Sequence, residues 1–570
     1  MADNKQKLEL TWIGKNNPEF DISNIEPRIL EENPELSNCT NDPNTENMII
    51  HGDNLLALKA LLPEYEGKIK CIYIDPPYNT GNAFEHYDDN VEHSLWLSLM
   101  KPRLELLKML LSDDGVIYIN IDIRELAYLK IICDEIFGRD NFLSQINSKA
   151  KSSGGVGQEG YLFDLCEYIL VYAKDVSFVE NYSPIKIEEL TADSIDHNYS
   201  KLFLTEGLTE RLFDIEGGTV GKVAVNQHKD YKIESLAKKN RTIENISKNF
   251  KILFRTTNPQ GGLMKRVLER IPREGLVSID YIPSKGRNAG KLTRSYFLNG
   301  GLIVWFKDSA ELRDGKVLKF FKNDNLWIEN LHQGIAKEGN VEFPQSKKPE
   351  KLIQKILSIS TQQGDFVLDS FLGSGTSAAV AHKMGRNYIG IEMGNHAYTH
   401  CKKRLDLVIS GEDSSGISKS VRWDGGGAYK FYELAPSFIT IDEFGNQVID
   451  SYFNDTKLIR AMCKLLNFEF KPSQSEYWKH GIGQGNNYIY VTTQILSVGI
   501  VQQIKSYLKP TESITICAKK FEPGCESIDS KIIVKKIPQS ILNSCQFGKK
   551  EYLLPIREEI IDDTEESELD

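Results

Sequence analysis

Apolar and polar positions alternate in two distinct rhythms through the first 145 residues. ENMIIHGDN (46–54) predicts a strand ending in a Gly-Asp turn, and LLALKALLPEY (55–65) a helix stopped near its proline. KIKCIYIDPPYNTG (68–81) predicts a buried strand running into a rigid turn. SLWLSLMKPRLELLKMLL (94–111) has helical periodicity, with Pro102 expected to kink or split it, and DDGVIYINID (113–122) is another buried strand. Such alternation favours a parallel sheet with helices on both faces. The pattern weakens from 145 to 340, a Gly- and Lys-containing region without a clean repeat. It resumes in KPEKLIQKIL (348–357), GDFVLDSFLGSGTSAAVAHKMG (364–385) and RNYIGIEM (386–393), so one fold is interrupted by an insert. Beyond 435, helical TKLIRAMCKLLNF (456–468) and the strands NYIYVT, SITICAK and IIVKKI predict a small α/β unit.

Composition narrows the class without changing this picture. A chain of 570 residues exceeds what one core supports, and roughly two to four folding units are expected. Hydrophobic residues at 40% and charged residues at 26% are those of an ordinary globular protein. MADNKQKLEL has no apolar run after its charges, and no stretch approaches the roughly 18 apolar residues that cross a bilayer, so a cytoplasmic location is expected. Nine cysteines without a CxxC pair argue against a disulfide framework or a structural zinc site, and no metal is expected. No GxxxxGK[ST] loop occurs. The nearest approach, ending in Gly221 and Lys222, lacks the first Gly and has Val223 in place of the hydroxyl, so ATP hydrolysis is not expected.

A net charge of -11 counts against a nucleic-acid partner, but its distribution matters more than its sum. REEIIDDTEESELD (557–570) reads as a solvated acidic tail. Between Gly261 and Arg294, Lys265, Arg266, Arg270, Arg273, Lys285, Arg287, Lys291 and Arg294 face only Glu269, Glu274 and Asp280, a local net of +5. A plain solvated face would look the same.

Two motifs carry chemistry. In FVLDSFLGSGTSAAVAHKMG a strand delivers Asp369 to its carboxyl end, the loop Phe371 to Thr376 is glycine-rich, and a helix follows. Gly373 and Gly375 let backbone amides approach a ligand, and the helix amino terminus favours its negative group. Seventeen residues after Gly375, Glu392 ends the strand YIGIE, where a carboxylate accepts from ribose hydroxyls. The arrangement suits an adenosine-containing cofactor. Gly373, Gly375 and Ala378 also satisfy a GxGxxA dinucleotide fingerprint, so an NAD-dependent oxidoreductase stays open on this motif alone.

The second motif is IYIDPPYNTG. Asp75 sits at a strand end, Pro76 and Pro77 fix the backbone, and Tyr78 offers a ring from that platform. The exocyclic amine of adenine is a poor nucleophile until acceptors draw on its hydrogens. The Asp75 carboxylate and the Pro76 carbonyl supply two, orienting the amine toward a methyl sulfonium. An aromatic face at Tyr78 returns roughly 1 to 3 kcal/mol of the stacking that a flipped base loses. An oxidoreductase leaves these residues unexplained.

The pairing of DPPYNTG with DSFLGSGTS resembles the amino-methyltransferases of DNA. Its order, with DPPY about 290 residues before the glycine loop, resembles their permuted beta class. LTWIGK (10–15), ENMIIHGDNLLALKALLPEY, IYIDPPYNTGNAFEHYDD, SKKPEKLIQKIL and GGGAYKFYEL (425–434) together resemble the modification (Mod) subunit of type III restriction-modification systems. The resemblance implies a Rossmann-like α/β S-adenosylmethionine-dependent methyltransferase with circularly permuted motif order. It implies an N-terminal extension (1–45), a first methyltransferase part (46–144), a target-recognition insert (145–340), a second methyltransferase part (341–435), a C-terminal α/β domain (436–556) and an acidic tail (557–570). Asp75, Pro76, Pro77 and Tyr78 take the target base. Asp369, Phe371, Gly373, Ser374, Gly375 and Thr376 take the methionyl part of S-adenosylmethionine, and Glu392 its ribose. The resemblance also implies that Asp53 contacts the cofactor's adenine, although a Gly-Asp at a strand end is equally a helix cap. Lys348 and Pro349 stand beside the cofactor's methionine, or merely start a helix. Ser377 stands where the family often has a second Thr. In the insert, Lys285, Arg287, Lys291 and Arg294 would hold phosphates of double-stranded DNA while other side chains read bases.

The expected activity is site-specific methylation of the adenine N6 amine. The chain is expected to be a homodimer serving a restriction (Res) helicase-nuclease subunit. A solitary regulatory adenine methyltransferase, a cytosine amino-methyltransferase and a binding module without catalysis remain the alternatives.

Overall fold

The computed structural model describes residues 9–79, 92–151, 164–179, 185–216, 221–259, 262–284, 290–329, 331–332, 334–343, 347–441, 447–450, 452 and 455–537. It divides into two units, one of residues 1–182 and 324–570 and one of residues 183–323.

The first unit is built on a ten-stranded sheet. Its elements in chain order are β1 (Leu30–Glu32), β2 (Met48–His51), α1 (Asn54–Tyr65), β3 (Ile69–Ile74), α2 (His93–Leu110), β4 (Leu111–Ile121), α3 (Ile123–Phe137), β5 (Phe142–Lys149) and β6 (Cys166–Ala173). After the excursion come β7 (Leu326–Trp327), α4 (Glu350–Ser360), β8 (Phe366–Asp369), α5 (Thr376–Lys383), β9 (Asn387–Glu392), α6 (Lys403–Ser410) and β10 (Lys430–Leu434). The spatial order is β1-β10-β2-β9-β8-β3-β4-β6-β5-β7. From β10 to β4 every pairing is parallel; β1 and β6 join antiparallel.

Beyond an irregularity between Ile69 and Cys71, side chains of β3 and β4 alternate between the two faces, as the pleat requires. Ile72 and Ile74 of β3 and Ile117, Ile119 and Ile121 of β4 pack with α1, α2 and α3. Cys71, Tyr73, Val116 and Tyr118 face the other way, onto α4, α5 and α6. Both faces being covered is what makes these strands apolar runs.

Helix α1 ends at Tyr65, two residues past Pro63, as expected, whereas α2 is continuous through Pro102, where a kink or split was expected. Pro102 removes one backbone donor and crowds the turn behind it. In the same turn the buried Arg103 donates Nη1 to the Leu99 carbonyl at 2.7 Å. The domain limits also fall elsewhere. β1 pairs with β10, so residues 30–32 belong to the sheet and not to an extension. β5 and β6 extend the sheet past residue 144, and the separate unit spans 183–323 where 145–340 was expected. Strands from distant segments complete the sheet edge, and no local pattern reports such pairing.

The C-terminal part of the first unit carries helices Asp455–Leu465 and Val498–Tyr507. Its five-stranded sheet ends in the parallel strands Asn487–Leu496, Ser513–Phe521 and Ile532–Lys536. The expected acidic tail lies outside the described residues.

The second unit is an antiparallel eight-stranded sheet with a separate three-stranded one. Val223, Val225, Val277, Ile279 and Phe297 form one of its cores, with Val267 of helix Gly262–Leu268.

Candidate active site

β3 and β8 are neighbours, with Cys71 opposite Val367 and Ile72 opposite Leu368. From β3 the chain leaves toward α2 and β4; from β8 it leaves toward α5 and β9, on the other side. This is the topological switch point of a doubly wound sheet, where the carboxyl ends of strands open a crevice. The turn Asp75 to Tyr78 leaves β3 and the loop Phe371 to Thr376 leaves β8 at the same edge. Two stretches almost 300 residues apart therefore meet.

The turn is braced from four sides. Trp96 of α2 donates Nε1 to the Pro77 carbonyl at 2.9 Å. The Tyr78 hydroxyl accepts from Lys348 Nζ at 2.6 Å, bonds Asn120 of β4, and lies 3.4 Å from Glu167 of β6. The Lys348 ammonium stands 4.7 Å from the Tyr78 ring centroid, 3.3 Å from Asp75 Oδ2 and 3.2 Å from Glu167 Oε2. Asn120 Nδ2 donates to Glu167 at 2.9 Å and approaches Asp75 Oδ1 at 3.4 Å.

Two carboxylates share one cation unevenly. Burial raises Asp75 above the ordinary carboxylate range, more than Lys348 lowers it, and the Glu167 charge adds to the rise. Burial also works to raise Glu167, but Lys348 and the Asn120 donor outweigh it and hold Glu167 down at about 2. Burial opposes the Lys348 charge, yet Asp75 and Glu167 together raise its pKa. The resemblance put Lys348 beside the cofactor; its ammonium lies against the DPPY turn. Pro349 is the N-cap residue of α4.

The glycine loop is held with equal care. Gly373 has φ +56° and Gly375 φ +80°; a Cβ on Gly375 would sit 3.1 Å from the Cys401 Cα. The Gly373 amide donates to Glu392 Oε2 at 2.7 Å, and Glu392 Oε1 accepts from Met393 and Gly394. His396 lies 2.8 Å from the same carboxylate. Asp369 accepts from the Phe371 amide at 2.9 Å and from the Ser377 hydroxyl at 2.5 Å, and burial pushes it up to about 7. Phe371 is buried, and Ser374 Oγ lies 3.2 Å from Thr376 Oγ1. The fully buried Arg404 donates to Thr376 Oγ1 at 2.7 Å and to Glu350 of α4 at 2.8 Å, tying the loop to the helix after Lys348.

Asp53 caps α1, accepting from the Leu55 and Leu56 amides at 2.9 and 3.2 Å, and pairs with Arg103 at 3.2 Å. Its cap role is therefore real. Neighbouring Asn54 donates to the Ser370 carbonyl at 2.7 Å, which fixes this turn against the glycine loop. Of the basic residues, Lys285 and Arg287 lie outside the described residues. Lys291 is exposed in the second unit. Arg294 there is bound to Asp280 through Nε at 2.6 Å and Nη2 at 2.9 Å.

Arg103, Asn120, Glu167 and Arg404 escaped the sequence reading, although Asn120 and Glu167 betray themselves as polar positions in or beside apolar strand runs. The site suits an adenosine-containing methyl donor: a backbone-lined loop opens a helix, carboxylates at 369 and 392 flank it, and an acidic aromatic turn faces it.

A family model described as DNA methylase matches residues 69–403. The chain is 38% identical over 458 residues to the "Probable type III restriction-modification enzyme HindVI Mod subunit" of Haemophilus influenzae, covering 76% of this chain and 59% of that one. It is 34% identical over 202 residues to the type III restriction-modification enzyme EcoPI Mod subunit of Escherichia phage P1, covering 30% and 31%. It therefore spans less than two thirds of either relative's length. The crystal structure of the M1.HpyAVI–SAM complex aligns with 63% of this chain and 99% of its own, at 14% identity and a TM-score of 0.30.

Proposed function

The chain belongs to the DNA methylase family, and from that premise we propose that it transfers a methyl group from S-adenosylmethionine to the N6 amine of adenine in double-stranded DNA. The observation that carries this reading is the meeting of the DPPY turn and the glycine loop at adjacent strand ends. S-adenosylmethionine, when bound, supplies a methyl group made electrophilic by its sulfonium. Phe371, Gly373, Ser374, Gly375, Thr376 and Asp369 would hold its methionyl part, with Glu392 and Asp53 at the nucleoside.

The target base must leave the duplex, at a cost of a few kcal/mol that stacking on an aromatic face offsets by about 1 to 3 kcal/mol. Tyr78 is suited to this because Lys348 and Asn120 hold its hydroxyl in place. The amine then donates to the Asp75 carboxylate and the Pro76 carbonyl. Trp96 occupies the carbonyl of Pro77, so Pro76 is the better placed acceptor. Burial makes Asp75 more basic than an exposed carboxylate, which suits it to take the proton that the amine sheds on methylation.

The likeness to Mod subunits supports a modification role in a type III system, with a homodimer and a separate Res subunit as expected partners. Among the described residues no helix is long and apolar enough to cross a membrane, which agrees with a cytoplasmic site of action. Lys285, Arg287, Lys291 and the second unit are the proposed DNA contacts, whereas Arg294, held by Asp280, would act by shaping that surface. Sequencing the genome of a host that expresses only this chain, with modified-base detection, tests the reading. N6-methyladenine at one recurring site is expected; its absence, or methylation on cytosine, overturns it.

A further inference from the structure

Lys348 is oddly invested for a residue next to a carboxylate that must accept hydrogen bonds from a substrate. Its ammonium lies 3.3 Å from Asp75 and 3.2 Å from Glu167, and it donates to Tyr78 at 2.6 Å. A cation resting on Asp75 competes with an incoming amine for the same oxygens. Stripping water from an ammonium costs several kcal/mol, so Lys348 cannot simply be left unpaired when Asp75 turns to the base. A second anion is needed, and Glu167 is that anion. It projects from β6, the antiparallel strand beyond β4, and Asn120 fixes its carboxylate by a 2.9 Å bond.

We infer that Glu167 is a positioning residue that retains Lys348 while Asp75 exchanges the ammonium for the target amine. The inference rests on the methyltransferase reading of this site. Asn120 is the hinge of the exchange, since its one amide nitrogen touches Glu167, Tyr78 and Asp75. The groups facing Asp75 are Lys348 before α4, Glu167 of β6, Asn120 of β4, Tyr73 and Tyr78 around β3, and Asp369 at the end of β8; His332 faces Glu167 and Lys348.

Opposite signs follow for the two members of the pair. In Glu167→Gln the ammonium has only Asp75 to rest on, and Asp75 has lost a neighbouring negative charge. Single-turnover methylation of unmodified genomic DNA should fall about tenfold or more, and its acid limb should move to lower pH. In Lys348→Met, Asp75 loses its cation and the acid limb should move to higher pH. The double variant Glu167→Gln/Lys348→Met should methylate faster than Glu167→Gln alone, because the competing cation has gone. S-adenosylmethionine affinity, measured by calorimetry on each variant, should stay near wild type and certifies the fold.

A wild-type rate with an unmoved acid limb in Glu167→Gln overturns the inference, as does a double variant no faster than the single one. Should Glu167→Gln fail to bind S-adenosylmethionine, the pH shift of Lys348→Met decides alone, and an unmoved limb there is equally fatal. Failure of the wild-type chain to methylate adenine would instead sink the reading of the site itself.

Discussion

Asp75 and Asp369 are both aspartates at the carboxyl ends of neighbouring strands, yet their surroundings divide the work between them. Asp75 faces a cation and a stiff aromatic turn; Asp369 accepts from the Phe371 amide and the Ser377 hydroxyl and feels the negative charges of Asp75 and Glu392. Asp75→Ala should abolish methyl transfer while leaving S-adenosylmethionine binding nearly normal, as read by filter assays of transfer and by calorimetry. Asp369 links stability to pH. Burial raises its pKa from 3.8 to about 7, so the folded chain holds this proton more tightly than the unfolded one. That stabilisation is complete below about pH 4 and is lost as pH rises through about 7. Urea midpoints should decline across this window in the wild type, and Asp369→Asn should flatten the decline. At this scale the sequence singled out residues that stand in a motif, such as Asp75, Gly373 and Glu392, each at or just past the end of a sheet strand. It was silent on Arg103, Asn120, Glu167 and Arg404. Their roles depend on partners 28 to 54 residues away or more, which local spacing does not encode.

Elements transmit these choices through backbone conformation. Both loop glycines lie in the left-handed region, where a side chain costs roughly 1 to 2 kcal/mol. Gly375 has a second constraint, the Cys401 Cα at 3.1 Å, whereas nothing approaches a Cβ on Gly373 closer than 3.9 Å. Gly375→Ala should therefore weaken S-adenosylmethionine binding by about tenfold or more, and Gly373→Ala by less, in equilibrium titrations. The central strands and helices were legible because they are apolar segments bounded by turn and cap residues. Pro102 misled: it reads as a helix breaker, but α2 is packed into the core through Leu97, Met100, Leu104 and Leu107, which outweighs one lost bond.

For the whole molecule, the decisive fact is that all ten strands of the main sheet lie outside residues 183–323. Replacing that stretch with a short Gly/Ser linker should leave S-adenosylmethionine binding intact and remove site-specific DNA binding, measured by calorimetry and by gel shift with the methylated site as competitor. The insert itself was legible as an interruption and no more. Its strands carry buried polar residues, Asn226, His228 and Ser278, at positions where alternation calls for apolar ones, so the period-two signal is broken.

Trp96 gives the turn an optical label of its own. Its indole is almost wholly buried, at 1% exposure, and its N–H ends on the Pro77 carbonyl, one residue from the ring proposed to meet the base. Any shift of that carbonyl when a nucleobase settles on Tyr78 changes the field felt by the fluorophore. Mixing the chain with DNA in a stopped-flow instrument should yield an emission transient that Trp96→Phe erases, timing base extrusion without a dye or a modified nucleotide.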